Sequence, residues 1–154
     1  MSLAARISLA KHASANFKAL FNLSTSVKQS SLGERLVELI NLRVSQVNGC
    51  GLCVDMHWRD LIRQGVEPRH VNAVAVWREA PFFTERERAA LRWVEILNGQ
   101  PHSNASDEEF ALVRAQFSDT EIVELGYAVA TIRAWNTLNL SLRNPIPDVP
   151  APGF

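Results

Sequence analysis

Four segments of the form Ser/Thr-x-x-Glu punctuate the chain: Ser31 to Glu34, Thr84 to Glu87, Ser106 to Glu109 and Ser118 to Glu121. In each, the hydroxyl is placed to accept from the amide three residues on, while the glutamate reaches back to the cap amide, which marks a helix start. Apolar residues at helical spacing follow. Leu36, Val37, Ile40, Val44 and Val47 form one such face, and Leu91, Val94 and Leu97, with Trp93, form another. Pro68, just after Gly65 closes the preceding segment, adds a fifth start with proline at the first helical position. Alternating Val/Thr/Ile runs bounded by turn dipeptides are missing, so strands are not expected. The prediction is an all-α bundle of six or seven helices over 12–29, 33–48, 50–64, 68–79, 84–98, 106–116 and 119–143.

At 154 residues the chain reads as one domain, 1–154, with its core in 12–143. A chain of this size buries about 70% of the surface exposed on unfolding. Sixteen basic residues balance sixteen acidic ones, which removes the basic excess that a nucleic-acid binder needs. Two cysteines are too few for a disulfide scaffold. The longest apolar stretch, Leu125 to Leu142, is interrupted by Thr131, Arg133, Asn136, Thr137 and Asn139. It falls short of the ~20 predominantly apolar residues of a bilayer span, so a buried helix rather than a membrane helix is expected. That last helix is apolar on nearly every side and must be covered all round, in part by a second subunit. Beyond Arg143, four prolines in 144–154 rule out a helix and predict an extended arm lying on a neighbour.

The N-terminus has no acidic residue before Glu34, and Arg6, Lys11, Lys18 and Lys28 stand among serines, a composition shared with organelle transit peptides. Phe17, Leu20, Phe21 and Leu23 fall on roughly helical spacing, which favours a first helix instead. With no secretory apolar segment visible, the expected compartment is the reducing cytoplasm.

The residues with chemistry to offer lie between Glu38 and His57. Cys50 and Cys53 open a helix whose start is signalled by Asn48-Gly49. Residues i and i+3 of a helix are close enough for a disulfide, and the helix N-terminus favours thiolate over thiol, lowering a pKa that is ordinarily ~8.5. A C-x-x-C at this position suits reversible oxidation. At about 100° per residue, Cys50, Cys53 and His57 fall within about 60° of arc, with Asp55, Arg59 and Arg63 turned away. A thiol with an imidazole one turn along is the arrangement of a nucleophile and its base. Glu38 lies ten residues before Asn48 and His57 nine after it. An antiparallel hairpin reversing there sets the carboxylate beside the imidazole, giving a relay from Glu38 to His57 to Cys53.

The pattern Glu-x11-Cys-x-x-Cys-x3-His, with its Arg-Val-Ser-Gln-Val-Asn-Gly lead-in, resembles the alkylhydroperoxidase AhpD-like branch of the carboxymuconolactone decarboxylase superfamily. Trp77-Arg-Glu-Ala-Pro81, the Thr84-Glu-Arg-Glu-Arg-Ala-Ala run and Ala130-Thr-Ile-Arg-Ala-Trp135-Asn extend the resemblance over roughly 10–143. The resemblance implies an all-helical fold assembled as trimers or hexamers and a cofactor-free, thiol-based reduction of hydroperoxides or small disulfides, driven by an external dithiol. It implies that Cys53 is the peroxidatic cysteine and Cys50 the resolving thiol and proton donor, with His57 and Glu38 as the proton relay. Leu52 departs from the pattern, standing where the family's well-studied peroxidases carry a second histidine. Helical phase turns it away from the Cys/His line. The decarboxylase members lack the cysteine pair, which disfavours lactone decarboxylation here.

Blander readings stand beside these. The cysteines could be small packing residues, or three zinc ligands with His57, the fourth coming from His70, Glu38 or water; no second zinc knuckle exists to complete a structural site. Glu38 alone reads as a solvated carboxylate. His12, His70 and His102 have no partner visible from spacing. Trp58, Trp77, Trp93 and Trp135 read as core or subunit contacts, and Arg86, Glu87 and Arg88 as a solvated charge run. Two accounts follow: a thiol peroxidase, or a non-catalytic oligomeric module that senses oxidants or binds a ligand through the same pair.

Overall fold

The computed structural model of the protein describes residues 4–149. Among these the fold is all-helical, with eight α-helices and one 3-10 turn and no strand: α1 Leu9–His12, α2 Ser14–Lys28, α3 Glu34–Asn48, α4 Gly51–Arg63, α5 Pro68–Asn72, the 3-10 turn Ala73–Val76, α6 Glu85–Asn98, α7 Asp107–Arg114 and α8 Asp119–Ser141. None of the helices is long and apolar enough to cross a membrane.

The caps explain most of the boundaries. Thr84 and Ser118 form complete capping boxes with Glu87 and Glu121, and Ser106 accepts from the Glu109 amide. Pro68 sits at the first position of α5. The Ser31 box does not form. Gly33, at φ +82°, precedes α3 instead, and the Ser31 hydroxyl donates to Glu124 on α8, which leaves Glu34 at the first helical position. Two predicted helices are also divided. The segment 12–29 breaks at Ala13. The segment 68–79 gives way to the 3-10 turn because tertiary packing overrides helix continuation: Val71, Ala73, Val74 and Trp77 are all drawn into the core, and Arg88 gathers the carbonyls of Trp77, Arg78, Ala80 and Phe83. The Arg86–Arg88 run is therefore structural rather than merely solvated. Arg86 lies over the Phe117 ring at 4.0 Å and pairs with Glu121.

α3 is the central element. Its predicted single face is one of two. Leu36, Val37, Ile40 and Val44 pack with α6, α7 and α8, while Leu39 and Leu42 on the other side join Leu61, Val71, Val74 and Leu91. Val47, assigned to the first face from its spacing, is exposed. Burial on both sides carries Glu38 into the interior, where its side chain has no exposure.

α3 and α4 are joined by a tight reversal. Gly49 is left-handed (φ +75°), its amide donates to Gln46 O, and the Cys50 amide donates to Ser45 O. This is a Schellman arrangement, in which the position with positive φ falls to glycine. Asn48, Asn98, Asn136 and Ser45 bond to one another behind the turn and fasten the ends of α3, α6 and α8. α8 is less fully covered than its composition requires, with Val123, Tyr127 and Leu140 exposed. Among the described residues after Arg143 no helix forms. Asn144 bonds Asn139, and the Ile146 side chain lies against Gly51, so these residues rest on their own chain. The expected arm beyond Val149 lies outside the described residues.

Candidate active site

The first turn of α4 carries both sulfurs. Cys50 is the N-cap, its Sγ accepting from the Cys53 amide at 3.4 Å. Cys50 and Cys53 are joined as a disulfide, with Cα atoms 5.3 Å apart. One turn further, His57 is buried, and its Nδ1 lies 2.6 Å from Glu38 Oε2 across the α3–α4 hairpin. An ionised carboxylate only accepts, so Nδ1–H donates. That leaves Nε2 as the unprotonated nitrogen of the neutral ring. Nε2 is buried and has no hydrogen-bond partner among the described residues.

Lys28, at the end of α2, completes the arrangement: its Nζ lies 2.6 Å from Glu38 Oε1 and 3.5 Å from Asp60 Oδ2. Burial alone would raise the Glu38 carboxyl. The hydrogen bond from His57 and the charge that ring carries when protonated, followed by the charge of Lys28, outweigh it and hold the group below its ordinary value of 4.5. Because the folded value is depressed, the stabilisation is fully present above the ordinary glutamate range and is lost as pH falls through the folded value. Breaking a fully buried pair costs about 3–5 kcal/mol. With the Lys28 side chain 31% exposed and His57 still in contact, Lys28→Met is expected to cost about 2 kcal/mol at pH 7. Urea unfolding should find the deficit at neutral pH and see it shrink as acid protonates Glu38 in both proteins. Equal midpoints at pH 7 would remove Lys28 from the account.

Glu38, His57 and Asp60 could each offer one ligand atom to a metal, and these atoms lie within 4.8 Å of one another. The cation among them is the Lys28 ammonium. In the disulfide form Cys50 and Cys53 have no thiolates to offer a metal. His70 is elsewhere, stacked on Phe82. His12 and His102 are exposed and also lie outside the cluster.

A cavity of about 800 Å³ opens against this cluster. Cys53 and His57 line it, Cys50 does not, and much of the remaining wall is apolar: Phe17 and Phe21 from α2, Leu52 and Met56 from α4, Trp135 from α8. Leu52 thus shares the chamber with Cys53 instead of turning away from the site. Arg63, also expected to turn away, lines the chamber and pairs with Asp60. Trp135 packs edge-on to Phe17 at 5.4 Å, and its Nε1 donates to Ser24 Oγ. It is a chamber residue as well as a packing one. Trp77 and Trp93 are core residues, and Trp58 is 39% exposed. Residues 5–10 close part of the outer wall, held there by Arg6, which donates to Ser141 O and Leu142 O at the end of α8.

Lys28, Asp60, Trp135 and Asn139 were not singled out as site residues from the sequence. The signals present were Asp60 one turn beyond His57 on the same helix, and asparagines in an otherwise apolar α8, where a polar side chain demands a buried partner.

The Carboxymuconolactone decarboxylase family matches residues 14–95, a span that holds Lys28, Glu38, both cysteines and His57. Protein YdfG of Bacillus subtilis is 31% identical over 139 residues, covering 90% of this chain and 95% of its own. Among solved structures, the Agrobacterium tumefaciens protein ATU0492, described as of unknown function and as a candidate antioxidant defence protein AhpD, is 39% identical. It superimposes with a TM-score of 0.91 over 95% of this chain and all of its own. The alkylhydroperoxidase AhpD core of a peroxidase-related protein from Ralstonia eutropha shares the fold at 22% identity, with a TM-score of 0.81 over 90% of this chain and 74% of that one. The chain belongs to the carboxymuconolactone decarboxylase family, in its AhpD-like branch.

Proposed function

We propose that the protein is a cofactor-free thiol peroxidase acting on organic hydroperoxides, with small disulfides as related substrates. The observation that carries this reading is the asymmetry of the redox pair: Cys53 lines the chamber together with His57, while Cys50 caps the helix behind it.

In the reduced protein, His57 Nε2 takes the Cys53 proton, and Glu38 stabilises the resulting imidazolium. The thiolate attacks the terminal peroxide oxygen. An S–O bond forms, the O–O bond breaks, and the departing alkoxide takes a proton from His57 or the Cys50 thiol to leave as alcohol. Cys50 sulfur then attacks the Cys53 sulfenic acid. The S–S bond forms, the S–O bond breaks, and water leaves. An external dithiol supplies two electrons and two protons by exchange, restoring both thiols. A reducing cytoplasm would keep such a donor available. The exposed Val123 and Tyr127 on α8 fit self-association into the trimers or hexamers that the sequence resemblance implies.

The test is stoichiometry. With dithiothreitol in excess, the reduced protein should consume many equivalents of cumene hydroperoxide per chain. Consumption that stops at one equivalent despite the donor would identify an oxidant-sensing module instead.

A further inference from the structure

We propose that Asn139 donates a hydrogen bond to the reacting sulfur of Cys53, that Asn144 orients it for this, and that the pair offsets the preference of the helix N-terminus for charge on Cys50. Asn139 stands on α8, 86 residues from Cys53 in sequence, with its Nδ2 3.4 Å from Cys53 Sγ. Asn144 Nδ2 donates to Asn139 Oδ1 at 2.8 Å, so the two ends of the Asn139 amide are engaged together, the oxygen by Asn144 and the NH₂ group by the sulfur. The segment carrying Asn144 is itself held against the redox helix: a Cβ at Gly51 would come within 3.3 Å of Ile146 Cδ1.

Two opposing effects act on the pair. Cys50, as N-cap, receives the Cys53 amide and the positive end of the α4 dipole, which by themselves would give it the lower thiol pKa. Cys53 lies inside the first turn and gains less from the dipole. A neutral sulfur is a weak acceptor and a thiolate a strong one, so the Asn139 contact strengthens as Cys53 loses its proton. It therefore shifts charge towards the sulfur that the chamber reaches. Asn139 touches a reacting atom; Asn144 is a positioning residue. The catalytic consequence rests on the peroxidase reading above, whereas the effect on the thiol does not.

The experiment measures the pH dependence of iodoacetamide alkylation in full-length reduced protein carrying one thiol. In a Cys50→Ser background, Asn139→Leu is expected to raise the Cys53 midpoint by about one pH unit, slowing alkylation below it about tenfold. Asn144→Ala should move it the same way by less, and Asn139→Asp should move it further, through its added negative charge. In a Cys53→Ser background, Asn139→Leu should leave the Cys50 midpoint in place. A Cys53 midpoint that none of the three variants moves overturns the assignment, as does an equal shift at both sulfurs. Should Asn139→Leu fail to fold, by loss of its helical circular dichroism, the Asn144→Ala and Asn139→Asp midpoints decide. A shift in Cys53 alone, in a protein whose wild type does not turn over peroxide, supports the Asn139 assignment and sinks only the peroxidase reading.

Discussion

Replacing Cys53 with serine is expected to reduce peroxide turnover to the uncatalysed background and to abolish trapping of a sulfenic acid by dimedone. Replacing Cys50 with serine is expected to do the reverse at the trapping step. With its resolving partner gone, the Cys53 sulfenic acid should accumulate and label to near one equivalent, while dithiol-driven turnover falls. The contrast follows from position. Both residues are 1% exposed in the closed disulfide, but of the two only Cys53 borders the chamber proposed to admit the peroxide. A hydroxyl in place of the thiolate has neither the acidity nor the polarisability to attack a peroxide oxygen. Equal labelling of the two variants would overturn the division of roles, whatever the turnover.

The second large effect is expected at His57. General base catalysis contributes about 10²–10⁴-fold, and His57→Gln should lower kcat/KM for cumene hydroperoxide by that order. The midpoint for Cys53 alkylation in the Cys50→Ser background should rise at the same time, because the thiolate loses its proton acceptor. Glu38→Gln tests the residue behind the imidazole. The isosteric amide keeps a hydrogen-bonding side chain at Nδ1 but removes the negative charge that stabilises the imidazolium, so turnover should drop by a smaller factor and its pH profile should shift. That variant also leaves Lys28 facing a neutral partner, so its unfolding midpoint must be measured alongside. If stability falls but the profile of the surviving fold is unchanged, Glu38 holds the structure without serving the reaction.

What could be read from the residues and what could not divides along sequence distance. The starts of α6 and α8 were legible because a capping box is a local device, complete within four residues at Thr84 and Ser118. The same pattern at Ser31 misled, since a distant carboxylate, Glu124, engaged the hydroxyl. The adjacency of Glu38 and His57 was legible because it needs only helical phase and one tight reversal, and Gly49 supplies the reversal. Lys28, Trp135 and Asn139 reach the cluster from α2 and α8 through packing that no spacing rule encodes. Even the expected one-sided stripe of α3 was incomplete. A helix sandwiched between two layers buries Leu39 and Leu42 as well as Leu36 and Ile40, and a single periodicity cannot express two opposed faces.

The outer wall of the chamber has a consequence for how this architecture can diversify. Residues 5–10 are held by Arg6 to the end of α8, and neither partner belongs to the hairpin that bears the sulfurs and the imidazole. Exchanging side chains along that rim, or lengthening it, would reshape the entrance to the chamber without altering the Glu38–His57 pair. That part of the chamber wall is carried by a stretch of polypeptide separate from the α3–α4 hairpin, so it is free to drift while Cys53 and His57 stay in place.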